Sequence, residues 1–84
     1  MIYYLVTFKV ARTDEAKEHL LNRRAIVSAT SLQEAISLMK RLQTREEFED
    51  FIFYSIKYMR ISLEKAYNLN MSGTPTYSDL IHGK

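Results

Sequence analysis

Residues 2–10, IYYLVTFKV, alternate with a period of two. Ile2, Tyr4, Val6, Phe8 and Val10 fall on one side, and Tyr3, Leu5, Thr7 and Lys9 on the other. Such alternation, in a run rich in β-branched and aromatic side chains, predicts a strand. The polar RTDEAK that follows (12–17) reads as a turn, and LLNRRAIVSAT (20–30) as a second extended run. A turn centred near Asp14 and Glu15 sets even positions of the first strand opposite odd positions of the second. Ala25 and Val27 then share the face of Ile2 and Tyr4, so the two patterns agree, as register requires. A short helix over 14–21 is the competing reading of the turn.

The period changes in TSLQEAISLMKRLQ (30–43). Leu32, Ala35, Ile36, Met39 and Leu42 recur at three and four, giving one apolar stripe on a helix. Ser31 followed by Glu34 is a capping-box signature. The hydroxyl accepts the third helical amide, and the carboxylate reaches back to the cap amide. Thr44 with Glu47 repeats the signature and predicts that the helix restarts or bends around REEFED (45–50).

DFIFYSIKYMRISL (50–63) admits two readings. On a helix, Phe48, Phe51, Ile52, Met59, Leu63 and Ala66 share a face, but Phe53, Tyr54 and Ile61 fall outside it. On a strand, Ile52, Tyr54, Ile56 and Tyr58 form one unbroken face, with Phe53, Ser55 and Lys57 behind. The density of Ile and aromatic residues favours the strand over one long helix across 44–68. A short helix around SLEKAYNL (62–69) follows. NLNMSGTPTYSDLIHGK (68–84) holds both glycines and the only proline, and reads as a flexible tail.

The pattern predicts an α+β fold, β-β-α-β, with a small three-stranded sheet in the order 2-1-3. One main helix packs on one face, and a short C-terminal helix or tail follows. Residues 1–70 form the single domain and 71–84 the tail. The helix joins parallel strands 2 and 3, and a right-handed crossover leaves strand 1 between them. Ile2, Tyr4, Val6, Phe8, Val27, Ile52, Tyr54 and Ile56 then face the helix. Tyr3, Leu5, Lys9, Ile26, Phe53 and Lys57 form the outer face, the candidate interface or binding face. So much apolar surface needs a cover. A returning C-terminal helix, a second subunit, or a single-stranded nucleic acid stacked on Tyr3 and Phe53 would each provide one.

Composition narrows the chemistry. With 84 residues the core is small. Cysteine is absent, which removes disulfides, a thiolate nucleophile and a Cys-based zinc site, and fits a reducing, cytoplasmic setting. No signal peptide is legible at the start, and no apolar run approaches the ~20 residues of a membrane span. A net charge of +2 is low for a protein that coats DNA. Charge is unevenly placed: EEFED (46–50) is acidic, while MKRLQTR (39–45) carries only cations. The acids suit a helix N-terminus better than a metal.

No catalytic signature emerges. Glu15 and His19 would lie one turn apart on a helix, but no third metal ligand is near in sequence, and His82 lies in the tail. Gly73 and Gly83 form no phosphate loop, so no catalytic, cofactor-binding or metal-binding residue is assigned, and no cofactor. NMS (70–72) and YSDL (77–80) match short modification and sorting patterns that arise readily by chance. The expectation is a non-enzymatic accessory protein, a protein-interaction module that self-associates as a dimer through the outer face. Its size and motif poverty are like those of small inhibitors encoded by phages or mobile elements, a likeness that no residue motif carries. The alternative is a single-stranded nucleic-acid binder using the exposed aromatics and lysines of the sheet.

Overall fold

The structure, a computed structural model, describes residues 1–13 and 20–82. Strands β1 (Ile2–Arg12), β2 (Leu21–Ala29) and β3 (Phe51–Ile61) form one sheet in the order β2-β1-β3, with β1 antiparallel to both neighbours. Helix α1 (Leu32–Gln43) links β2 to β3 through a 3-10 turn at Glu46–Phe48. Helices α2 (Leu63–Met71) and α3 (Tyr77–Ile81) complete the chain. The α+β class and the strand order are those expected from the sequence.

Register follows the hydrophobic pattern in the first hairpin. Tyr4 pairs with Val27 and Val6 with Ala25, so the apolar sets of both strands meet on one face. Ala35, Met39 and Leu42 of α1 are buried against Tyr4, Val6, Phe8, Val10 and Val27 there. Ser31 caps α1 by accepting from the Glu34 amide at 3.1 Å. The Glu34 carboxylate, however, accepts from the Thr30 amide at 2.8 Å, one residue before the cap. Thr44 plays a different part from the one its sequence suggests. Its hydroxyl donates back to the Arg41 carbonyl and closes the C-terminus of α1.

The structure corrects the faces assigned to the first half of β3. Thr7 pairs with Lys57 and Lys9 with Tyr54, so Phe8 alone stands opposite Ser55 and Ile56. The extra residue is a β-bulge, and Ser55 adopts a positive φ of 52°. One inserted residue inverts the facing of everything before it. Phe53 thus joins the α1 face, where its ring stacks on Phe8 at 5.0 Å and meets the edge of Phe48 at 6.1 Å. Ile52 and Tyr54, expected under α1, share the outer face with Ala11 and Lys9.

The half of the outer face that holds Tyr3, Leu5, Ile26 and Ile61 is covered within the chain. Helix α2, capped by the Ser62 hydroxyl, packs Ala66 and Leu69 on Tyr3, Leu5, Ile26 and Ile61. Where a tail is expected, residues 72–82 are tied to the sheet. Thr76 bridges Ile26 in parallel at the open edge of β2, and the Ile26 amide donates to the Pro75 carbonyl at 2.9 Å. That contact shields an edge strand from pairing with other chains. Beyond it, Thr76 and Asp79 form a capping box at the start of α3. Tyr77, Leu80 and Ile81 rejoin the α1 side of the core.

Candidate functional site: an aromatic pocket and a cationic groove

Element lengths determine where the sheet lies open. A strand of eleven residues extends ~35 Å at roughly 3.3 Å per residue, in keeping with a longest molecular dimension of 38 Å. The twelve residues of α1 reach only ~18 Å and the nine of α2 about 13 Å, at 1.5 Å per residue. Both helices start at the end of the sheet where Ile2 pairs with Ala29 and Tyr3 with Ile61. Neither is long enough to cover the far half, which holds residues 8–12 of β1, 21–24 of β2 and 51–55 of β3.

On the α1 face that far half forms a cavity of about 470 Å³, within the ~300–1,000 Å³ of small-ligand pockets. Phe8, Phe48, Phe51 and Phe53 line it with Val10, Leu21, Leu42 and Leu80, and residues 72–75 form a further wall. Among the described residues no acidic side chain lines it. Arg23 and Arg24 are its cations on the sheet; Arg23 pairs with Phe8 on β1, is exposed, and donates to the Asn22 carbonyl at 3.0 Å. Arg45 braces the arrangement from outside. Its guanidinium donates to the Glu47 carboxylate at 3.0 Å and to the Ile81 carbonyl at 3.1 Å, fastening the end of α3 to the segment that carries Phe48. A hydrogen bond to its own backbone amide, followed by the one from Arg45, holds the Glu47 carboxyl below its ordinary pKa.

On the opposite face the uncovered half holds a polar groove beside Ile52 and Tyr54. This groove, of about 320 Å³, is lined by Thr7, Lys9, Asn22, Arg24, Ser55 and Lys57, together with Phe8 and Arg23. Arg24, Thr7 and Lys57 occupy one row across the three strands, and Lys9 lies in the next row between Asn22 and Tyr54. Arg24 also donates to the Thr74 hydroxyl at 3.2 Å.

The residues anticipated as one binding face therefore separate into three environments. Lys9 and Lys57 lie together, exposed, on the cationic groove. Tyr3, Leu5 and Ile26 belong to the small core beneath α2, with Leu5 and Ile26 buried. Phe53 lies on the other side of the sheet, in the aromatic pocket. Arg24 and the grouping of four phenylalanines were not anticipated. The three-residue step from Phe53 to Ile56 across Ser55 was the available signal for the second. Asp14, Glu15 and His19 lie outside the described residues. His82 is exposed at the C-terminal cap of α3. Among the described residues no group of three or more His, Cys, Asp or Glu is placed to hold a metal ion. None of the described helices is long and apolar enough to cross a membrane. Comparison with protein-family models, curated proteins and solved structures finds no match for this chain.

Proposed function

We propose that this chain is a non-enzymatic accessory protein that acts by binding another protein, and that the phenylalanine-lined pocket is its working site. The observation that carries the reading is an open concave surface in which four aromatic rings converge beside two arginines, Arg23 and Arg24. A chain with so small a core gains from covering such rings, because apolar burial is worth ~25 cal/mol per Å². Phe8 is buried and Phe48, Phe51 and Phe53 are half-buried, so the ring surface left open is what a partner would cover. The occupant that fits is an apolar anchor side chain, aromatic or branched aliphatic, carried next to an acidic residue that Arg23 can meet. A single buried anchor of this kind dominates the energetics of many interfaces. An inhibitor that blocks a partner's surface would work in this way, and the absence of cysteine suits a cytoplasmic setting.

Self-association is part of the proposal, but α2 is its surface, because Tyr3, Leu5 and Ile26 of the sheet are covered within the chain by α2 itself. Leu63, Tyr67 and Met71 recur at four-residue spacing with relative exposures of 63%, 63% and 70%. They offer on the order of 400 Å² per protomer, about half of the ~800 Å² per partner in a standard stable interface. The dimer is therefore weak and its partners exchange.

Affinity capture with paired variants tests the pocket. Phe51→Asp places a charge on the pocket wall at a half-buried strand end, whereas Leu63→Asp places one on α2. A partner retained by the wild type and by Leu63→Asp, and lost with Phe51→Asp, is the expected outcome. A partner lost only with Leu63→Asp would assign recognition to α2 and overturn the pocket reading.

A further inference from the structure

We propose that the cationic groove on the outer sheet face is a phosphate-binding track for single-stranded nucleic acid. In this site Lys9, Arg24 and Lys57 hold the backbone and Tyr54 stacks a base. The site opens on the opposite face of the same half of the sheet, and Phe8, Asn22, Arg23 and Arg24 border both it and the pocket.

Three observations support it. Arg24 and Lys57 flank Thr7 on adjacent strands, and Lys9 is the diagonal neighbour of both. Diagonal neighbours in a sheet are roughly 7–8 Å apart, and like charges at such spacing repel. The groove they share contains no acidic residue among the described residues. A sheet that gathers cations without a compensating carboxylate is suited to an external anion. The second observation is the placement of Arg24. Thr74 is the buried polar side chain among the described residues, and its hydroxyl receives the Arg24 guanidinium. The contact ties the cation to the segment that closes the β2 edge, so part of its side-chain freedom is already lost before any ligand arrives. The third is the bulge. By inverting the facing of residues 51–54 it brings Tyr54 beside Lys9, and it sets the Ser55 hydroxyl among the groove's donors.

A lone phosphate or an acidic peptide would match the cations but not the ring. Tyr54 next to a row of cations is the combination that holds a flexible strand, because every base has a face to stack while the backbone follows the charges. A duplex offers no free base face. The open floor of three strands also lacks the protruding helix or ribbon that enters a major groove.

Fluorescence anisotropy with a short labelled oligouridylate, on the full chain, tests the assignment. Neutralising three phosphates on a single strand should give a slope of log affinity against log salt of about −2, so affinity should fall about 20-fold between 50 and 200 mM salt. Lys57→Ala or Lys9→Ala should remove about a third of that slope. Tyr54→Leu should weaken binding about tenfold with the slope unchanged. Lys40→Ala, on α1, serves as the control for net charge and should change little. Thermal melts confirm that each variant is folded. Three results would overturn the proposal: no binding at 50 mM salt, equal loss from Lys40→Ala and Lys57→Ala, or a duplex bound as tightly as the single strand.

Discussion

Ser55 determines which aromatic rings enter the core. A positive φ places its Cβ against the backbone, a conformation that costs a non-glycine residue about 1–2 kcal/mol. Ser55→Gly should therefore raise stability by about 0.5–1 kcal/mol, the relief of strain being partly offset by greater freedom of the unfolded chain. Ser55→Val should lower it by ~1–2 kcal/mol or straighten the strand, since a β-branched residue resists that region. Urea unfolding measures both, and the Phe8–Phe53 contact in NMR spectra reports whether the bulge survives. Tyr58 tests the same strand by charge. Burial raises its phenol pKa above 10.0. Below pH 10 the phenol is neutral in both states and stability is intact. As pH rises past the unfolded value, the unfolded chain ionises first and stability is lost until the folded pKa is passed. Urea midpoints between pH 9 and 11.5 should fall less steeply for Tyr58→Phe than for the wild type.

At the scale of elements, the sequence was legible wherever periodicity ran without interruption. The β1–β2 register, the buried stripe Ala35–Met39–Leu42 and the Ser31 cap all follow from spacing that one face of a strand or helix demands. Legibility failed where a residue serves two local preferences. Ser55 is unremarkable within a strand until a bulge gives it a positive φ, and period-two reasoning then assigns Ile52, Phe53 and Tyr54 to the wrong sides. Thr44 has the spacing of an N-cap but acts as a C-cap, because its hydroxyl meets the Arg41 carbonyl first. The C-terminal segment was hidden by its glycine and proline, which mark turns without saying what lies beyond them. Its Thr76–Asp79 box carried the same signal as Ser31–Glu34. Thr76→Ala should cost about 1 kcal/mol by removing that cap. The effect should reach the β2 edge, and faster hydrogen exchange at the Ile26 amide would show it. If exchange at Ile26 is unchanged, α3 and the Pro75 contact are not coupled.

On the scale of the whole molecule, the governing feature is a mismatch of lengths: eleven-residue strands carry helices of twelve and nine residues. The covered half supplies the core. Met39, fully buried there, should cost about 2–5 kcal/mol when replaced by alanine. That would be a large part of the stability of so small a domain, and thermal unfolding of Met39→Ala measures it. The open half carries an aromatic surface on one side and a cationic surface on the other, with Phe8, Asn22, Arg23 and Arg24 bordering both. Weak pairing through α2 should appear in sedimentation as an average mass that rises with concentration, and Tyr67→Lys should abolish the rise. A mass independent of concentration would leave the Leu63–Tyr67–Met71 stripe without a role in self-association.

The phenylalanine pocket is proposed to receive a protein, and crosslinking from within it is the most direct test. A photo-crosslinking amino acid placed at Phe51 or at Lys57, in the cells that encode the chain, separates the two surfaces directly. The expected result is a discrete protein adduct from position 51 that disappears when Arg23→Glu reverses the charge beside the pocket. Position 57 should yield nucleic acid instead. A protein adduct from position 57, with none from position 51, would contradict it.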